Sequence, residues 1–225
     1  MSRSVDACFF DLYGTLVDLA ALDAACEAAA PGRGPMLAGR WRARQLEATW
    51  LRTVMGRWAD FEVVTREALA VAADELALDG GKLALDLAGA WSRLSPRPGV
   101  HALLGRLDTA GVPLGILSNG AVAMIEATVD GAGLGGRFGR ILSADHVRAF
   151  KPAPAVYRLA TEATGMAADR IGFVTANGWD AVGAAAFGLI VLWLRPPGGS
   201  LPGVGPLDRP PMEVRLDEIA TLIGA

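Results

Sequence analysis

Six polar residues of this chain stand where apolar runs stop. Asp11 lies at the end of ACFFDL (7–12) and is followed by a Gly14-Thr15 turn. Ser118 and Asn119 close LGILS (114–118), Lys151 precedes Pro152 at the end of the loop that follows RILS (140–143), and Asn177 and Asp180 follow IGFVT (171–175). A carboxylate ending a buried strand needs hydrogen-bond donors, and the Gly14-Thr15 turn can supply backbone N–H groups and a hydroxyl. In a reaction it is a nucleophile, because an aspartyl ester divides one difficult displacement into two easier steps. Ser118, Asn119 and the helix N-terminus behind them suit an anion. Lys151 is the cation Asp11 would want nearby, and Trp179 is a large apolar wall beside Asn177 and Asp180. Each residue also has a plainer reading. Asp11 can cap a turn, Ser118-Asn119 can be an ordinary N-cap, Lys151 can be a solvated charge, and Asn177 and Asp180 can form a turn into a helix. Convergence favours chemistry: ligands of an open α/β sheet bind outside the carboxyl ends of its strands, and four successive strand ends carry these groups.

Those ends presuppose strands. The four runs above and IVLWL (190–194) are apolar on both faces, as parallel strands covered by helices are. Helical patterns at roughly 121–130, 154–164 and 180–187 alternate with the last four, so the expected fold is α/β, a doubly wound parallel sheet with a Rossmann-like core. Between the first run and the second, about eighty residues read almost wholly helical. The stretches 41–58, 62–78 and 82–94 are periodic and free of Pro, with a break at Gly80-Gly81. SPRPG (95–99) closes this block, and a helix is expected near 100–110. The expected organisation is therefore a catalytic core from 1–17 and 98–225 with a helical cap inserted at 18–97, over the carboxyl edge of the sheet. From 196 to 211 the chain is rich in Pro and Gly and reads as loop, ahead of a short helix near 216–223. Within the cap, Arg42, Leu46 and Thr49 stand at i, i+4 and i+7 and share a helix face. An Arg on a face turned to the sheet suits an anion released there; otherwise it snorkels at the helix edge.

Composition narrows the class. The 225 residues are enough for a sizeable core. With 21 Lys and Arg against 24 Asp and Glu there is no basic excess for nucleic acid. No apolar run reaches the roughly 18 residues of a spanning helix, so no membrane partner is expected. Asp6 precedes any apolar stretch, which argues against a signal peptide. Cys8 lies inside a strand run and reads as a buried free thiol rather than a disulfide partner of Cys26. Two His without Cys/His spacing give no zinc site. A cytoplasmic location is expected.

In this order the motifs resemble the haloacid dehalogenase superfamily, and most closely its L-2-haloacid dehalogenases. The likeness rests on FDLYGTLVD (10–18), WRARQLEATWLR (41–52), LGILSNG (114–120), KP at 151–152 with VYRLA (156–160), and NGWD (177–180) behind FVTA. It implies hydrolytic dehalogenation of short L-2-haloalkanoic acids to D-2-hydroxyalkanoic acids through an aspartyl ester, with no cofactor and no metal. In that scheme Asp11 attacks C2 of the substrate, and Arg42 and Asn119 cradle the departing halide. Ser118 and backbone N–H groups near Leu12 and Tyr13 hold the substrate carboxylate. Thr15 and Lys151 position and charge-balance Asp11, Tyr157 supports Lys151, and Asp180, helped by Asn177, activates the water that opens the ester. Tyr13, Leu46, Phe61 and Trp179 wall the alkyl pocket. Thr175 holds a catalytic position where the relatives commonly have Ser; Ala43 and WLR (193–195) also depart from the common spelling and leave substrate preference open. Tyr13 separates branches, since the superfamily's phosphatases carry there a second Asp that acts as general acid and helps hold Mg²⁺. A phenol with an ordinary pKa of about 10 does neither. The relatives are often homodimers, and the same is expected here. The alternatives are a related carbon–heteroatom hydrolase (a defluorinase or a cyclic amino acid hydrolase), a Mg²⁺-dependent phosphohydrolase, and a carboxylate-binding protein without turnover.

Overall fold

Strand β1 (Ala7–Phe10) divides its side chains between two cores, Cys8 and Phe10 on one face and Ala7 and Phe9 on the other, all buried. That two-sided burial is why the run is apolar throughout. The structure is a computed structural model describing residues 5–224; most of the N-terminal segment read as leaderless lies outside the described residues. A helical block follows β1: α1 (Ala20–Ala29), α2 (Gly34–Met55), α3 (Phe61–Glu75), α4 (Gly80–Asp86) and a 3-10 turn at Ala90–Arg93. Then come α5 (Val100–Thr109), β2 (Leu114–Ser118), α6 (Val122–Gly131), β3 (Arg140–Ser143), α7 (Pro154–Thr164), β4 (Ile171–Thr175), α8 (Gly178–Phe187), β5 (Ile190–Trp193), β6 (Met212–Glu213) and α9 (Ile219–Ile223). The six strands are parallel, in the order β3-β2-β1-β4-β5-β6. The chain steps outward from β1 to β3 and returns with β4 on the other side of β1. The switch point therefore lies between β1 and β4, beside Asp11. This is the doubly wound, Rossmann-like α/β sheet expected.

Several boundaries differ from the sequence reading. β1 stops at Phe10 because the chain turns at once: the N–H groups of Thr15, Leu16 and Val17 all donate to Leu12 O, and Gly14 takes φ 81°, open to glycine without strain. Helix α1 was not read as a separate element, and α2 begins at Gly34, well before 41. Glu27 explains the early start: its carboxylate accepts from the N–H groups of Gly32 (2.6 Å) and Gly34 (2.9 Å), so it caps α2, while Pro35 sits in the first turn, where no donor is lost. Gly80 and Gly81 are not a break but the first turn of α4, whose cap is Asp79 accepting from Lys82 N. The stretch 82–94 is not one helix, because α4 ends at Asp86 and Gly89 turns left-handed (φ 68°) before the 3-10 turn. β6 was not expected; it is an exposed two-residue strand pairing Met212 with Leu192.

The segments entering and leaving the helical block run side by side: Asp18 N donates to Ser95 O (2.8 Å) and Arg97 N to Leu16 O (2.9 Å). The tryptophans of α2 and its end divide between uses. Trp41 is buried and donates to Thr65 O; Trp50 meets Trp179 edge-on at 5.8 Å; Trp58 stacks on Phe150 at 4.6 Å. Phe150 N also donates to Thr53 Oγ1 (3.0 Å), tying α2 to the loop that carries Lys151. Cys8 and Cys26 are both buried and free, as expected. Among the described residues, no helix is long and apolar enough to cross a membrane.

Candidate active site

The carboxyl ends of β1, β2 and β4, one face of α2 and the first residue of α3 meet in a narrow crevice. It is lined by Asp11, Tyr13, Arg42, Leu46, Phe61, Ser118, Asn119 and Trp179. These lining residues are all among those singled out in the sequence.

Asp11 is nearly buried, and both its oxygens are engaged. Oδ2 accepts from Thr15 Oγ1 (2.9 Å) and Asn177 Nδ2 (2.8 Å), and Oδ1 accepts from Lys151 Nζ (3.2 Å). The orientation of Thr15 is itself fixed, because Ala176 N donates to its hydroxyl oxygen (2.9 Å), leaving the proton for Asp11. Lys151 is fully buried, with its ammonium shared between Asp11 and Asp180 Oδ2 (2.9 Å) and lying over the Phe173 ring. A buried cation with two carboxylates is paired and hydrogen-bonded, as burial requires. Its backbone N–H donates to Asn119 Oδ1 (2.8 Å), which turns the Asn119 amide and holds the Lys151 loop on the end of β2.

Asp180 is fully buried in the first turn of α8. Burial pushes its carboxyl up to about 6, with the negative charge of Asp11 adding to the rise and Lys151 and Tyr157 opposing it. A carboxylate held there is a general base suited to near-neutral water activation. Tyr157 does not reach Lys151. Its hydroxyl donates to Asp180 Oδ1 (2.8 Å), the oxygen that Lys151 leaves open, so it supports the lysine only through the shared carboxylate. Asn177 likewise serves Asp11 rather than Asp180: its amide donates to Asp11 Oδ2 and to Tyr13 O (3.2 Å). Thr175 is fully buried, and its hydroxyl accepts from Asn177 N (3.1 Å), holding the turn rather than facing the crevice. Ser118 Oγ accepts from Gly120 N (3.2 Å), and the Leu12 side chain is buried in the core away from the crevice.

Toward the helical block, Tyr13 stacks on Phe61 at 6.1 Å and is met edge-on by Trp91 at 5.3 Å. Its hydroxyl pairs with Thr128 (3.2 Å), and burial raises the phenol to about 12, so it supplies neither an acid nor an anion. Arg42 is half-buried, with its guanidinium 5.5 Å from the Trp91 ring centre, and burial works against its charge. Gln45 and Trp91 contact it, and Thr65 lies behind Gln45; none of the three was singled out in the sequence, although Gln45 stands only three residues on, on the same side of the helix. The donor set does not suit a divalent cation. The Lys151 ammonium stands between the two carboxylates, Tyr13 is a phenol turned to Thr128, and among the described residues no group of three or more His, Cys, Asp or Glu could hold a metal ion.

Residues 5–188 match the family model of haloacid dehalogenase-like hydrolases. The chain is 40% identical over 214 residues, 95% of each protein, to (S)-2-haloacid dehalogenase H-109 of Pseudomonas putida. A crystal structure of an L-2-haloacid dehalogenase superposes with a TM-score of 0.90 at 36% identity, covering 99% of this chain and all of that one. The L-2-haloacid dehalogenase of Xanthobacter autotrophicus with chloropropionic acid covalently bound superposes with a TM-score of 0.86 at 37% identity, covering 97% of this chain and 98% of that one.

Proposed function

The chain belongs to the haloacid dehalogenase-like hydrolases, and we propose that it is an (S)-2-haloacid dehalogenase, converting short L-2-haloalkanoic acids to D-2-hydroxyalkanoic acids. The observation that carries this is one ammonium, Lys151, shared by two buried carboxylates, Asp11 and Asp180, with Arg42 across the same crevice. One carboxylate lines the crevice and can attack; the other lies behind it with a raised proton affinity and can take a proton.

Asp11 attacks C2 from the side opposite the halogen. The C–O bond forms as the carbon–halogen bond breaks, and the halide leaves with the electron pair toward Arg42 and the amide of Asn119. Ser118 and the backbone N–H groups at Leu12 and Tyr13 take the substrate carboxylate. Thr15, Asn177 and Lys151 hold Asp11 in line, since their hydrogen bonds fix both its oxygens. Asp180 then takes a proton from water as its oxygen attacks the ester carbonyl; the acyl C–O bond breaks, the departing alkoxide takes that proton back from Asp180 to leave as the hydroxy acid, and Asp11 releases the remaining water proton as it returns to the carboxylate. Residues 18–97 act as the cap that excludes bulk water during these steps. The apolar crevice walls, Tyr13, Leu46, Phe61 and Trp179, would flank a short alkyl group. A Mg²⁺-dependent phosphohydrolase is disfavoured by the same geometry, because the oxygens of Asp11 and Asp180 are already engaged by Lys151, Thr15, Asn177 and Tyr157, and Tyr13 adds a phenol turned to Thr128 in place of a further carboxylate. The enzyme works in the cytoplasm, a reading supported by its two free thiols. It works as a homodimer, a reading supported by the exposed Leu51, Val54 and Met55 along α2.

The test is one turnover of L-2-chloropropionate in ¹⁸O-water with enzyme in excess. The heavy oxygen is expected in the side chain of Asp11 and absent from the first D-lactate released. Label passing straight into the product overturns the ester.

A further inference from the structure

We propose that Gln45 is the positioning residue of the halide cradle, holding Arg42 through a neutral acceptor so that the guanidinium keeps its charge for the anion. The proposal rests on the reading of Arg42 as halide ligand and adds what orients it.

Gln45 is fully buried in α2, one turn after Arg42. Its Oε1 accepts from Arg42 Nη1 (2.6 Å), and its Nε2 donates to Thr65 Oγ1 (2.6 Å) on α3. The amide has only one sensible orientation. The single hydroxyl proton of Thr65 is committed to Phe61 O (2.6 Å), so Thr65 can only accept from Gln45. The NH₂ end must then face Thr65 and the oxygen must face Arg42. Trp41 Nε1 donates to Thr65 O (2.7 Å) and steadies the far end of this chain. The chain runs from the backbone of Phe61, itself a crevice wall, to the guanidinium.

The choice of amide over acid follows from charge. Glutamate at 45 would hold Arg42 at least as tightly but would cancel the charge an anion needs. Among the described residues no carboxylate forms an ion pair with Arg42, and its remaining restraint is the uncharged Trp91 face. A fixed guanidinium with open N–H groups stabilises a leaving anion without reorganising during the reaction.

The experiment measures bromide product inhibition and, in single turnovers, ester formation and ester hydrolysis separately. The variants are Gln45→Leu, Gln45→Glu, Thr65→Val, Thr65→Ser and Arg42→Ala. In Gln45→Leu, ester formation is expected to slow and the bromide inhibition constant to rise by about ten- to a hundred-fold, the weight of one hydrogen bond to a charged group. Ester hydrolysis is expected to stay within about two-fold, because its groups lie on the Asp180 side. Gln45→Glu should match or exceed that loss, Thr65→Val should follow in the same direction, and Thr65→Ser, which keeps the hydroxyl, should restore near-normal behaviour. Thr65→Val leaves the volume almost unchanged and keeps the test valid if Gln45→Leu fails to fold. Equal slowing of both steps, or unchanged bromide inhibition in Gln45→Leu while Arg42→Ala loses it, overturns the role of Gln45. Unchanged bromide inhibition in Arg42→Ala itself overturns the underlying reading of Arg42.

Discussion

Replacing Tyr157 by Phe tests the assignment of Asp180 as the base that opens the ester. The hydroxyl donates to Asp180 Oδ1 at 2.8 Å inside a fully buried site, and this bond favours the charged carboxylate. A buried hydrogen bond to a charged group is worth about 1.5–3 kcal/mol. At 1.36 kcal/mol per pKa unit, its loss should raise the Asp180 titration by about one to two units. The sign is fixed: the bond stabilises the ionised form, so without it the proton is held to higher pH. In single turnovers over the range from about pH 4.5 to 9, the acid limb of ester hydrolysis should move up by that amount. On the falling part of the limb the variant is then about ten- to a hundred-fold slower than the parent, and the two converge in the alkaline range. Ester formation, which asks nothing of Asp180 as a base, should keep its pH profile. The comparison reads a displacement between two enzymes at equal folding, checked by their thermal transitions. An unmoved limb, or a rate deficit equal at every pH, would refute the reasoning and leave Tyr157 as packing alone.

Lys151→Met removes the only ammonium between two buried carboxylates, and breaking such a pair should cost about 3–5 kcal/mol of stability. Asp180, already raised by burial and now without the cation that opposed the rise, then holds its proton to higher pH when folded than when unfolded, so the stability deficit should grow as pH rises from about 5 to 8; a deficit constant across that range sinks the argument. Gly183→Ala would place a Cβ 2.5 Å from Pro152 Cβ and 2.6 Å from Tyr157 Oη. The overpacking, about 1–3 kcal/mol, should exceed the roughly 1 kcal/mol gained in helix propensity and lower the melting temperature, whereas a rise would show that the contact is slack.

The strand ends were legible because buried parallel strands are written as unbroken apolar runs, and a charged or amide residue terminating one is conspicuous. Asp11, Ser118, Asn119, Asn177 and Asp180 were found that way, and all lie at this edge of the sheet. The helical block was less legible. α2 begins inside PGRGP, which reads as loop, because its cap comes from Glu27, on the preceding helix and five or more residues back. Gly89 breaks the stretch after α4 without any Pro to announce it. The partners of Tyr157 and Asn177 were misread because spacing says which residues reach the site, not which oxygen of a shared carboxylate is already taken. Gln45 was hidden for a related reason. α2 is dense in polar residues, and nothing in WRARQLEATWLR tells that Arg44 turns outward to Glu47 and Glu75 while Arg42 and Gln45 turn inward.

In the mechanism we propose, the ammonium bridging Asp11 and Asp180 sets an order of events. Before reaction, two anions compete for one cation, and the charge on Asp11 makes the other carboxylate more reluctant to ionise. Once Asp11 is alkylated its charge is gone, the competition ends, and Lys151 belongs to Asp180 alone. The base is thus released into its working form by completion of the step before it, and restored to its guarded form when the hydroxy acid departs.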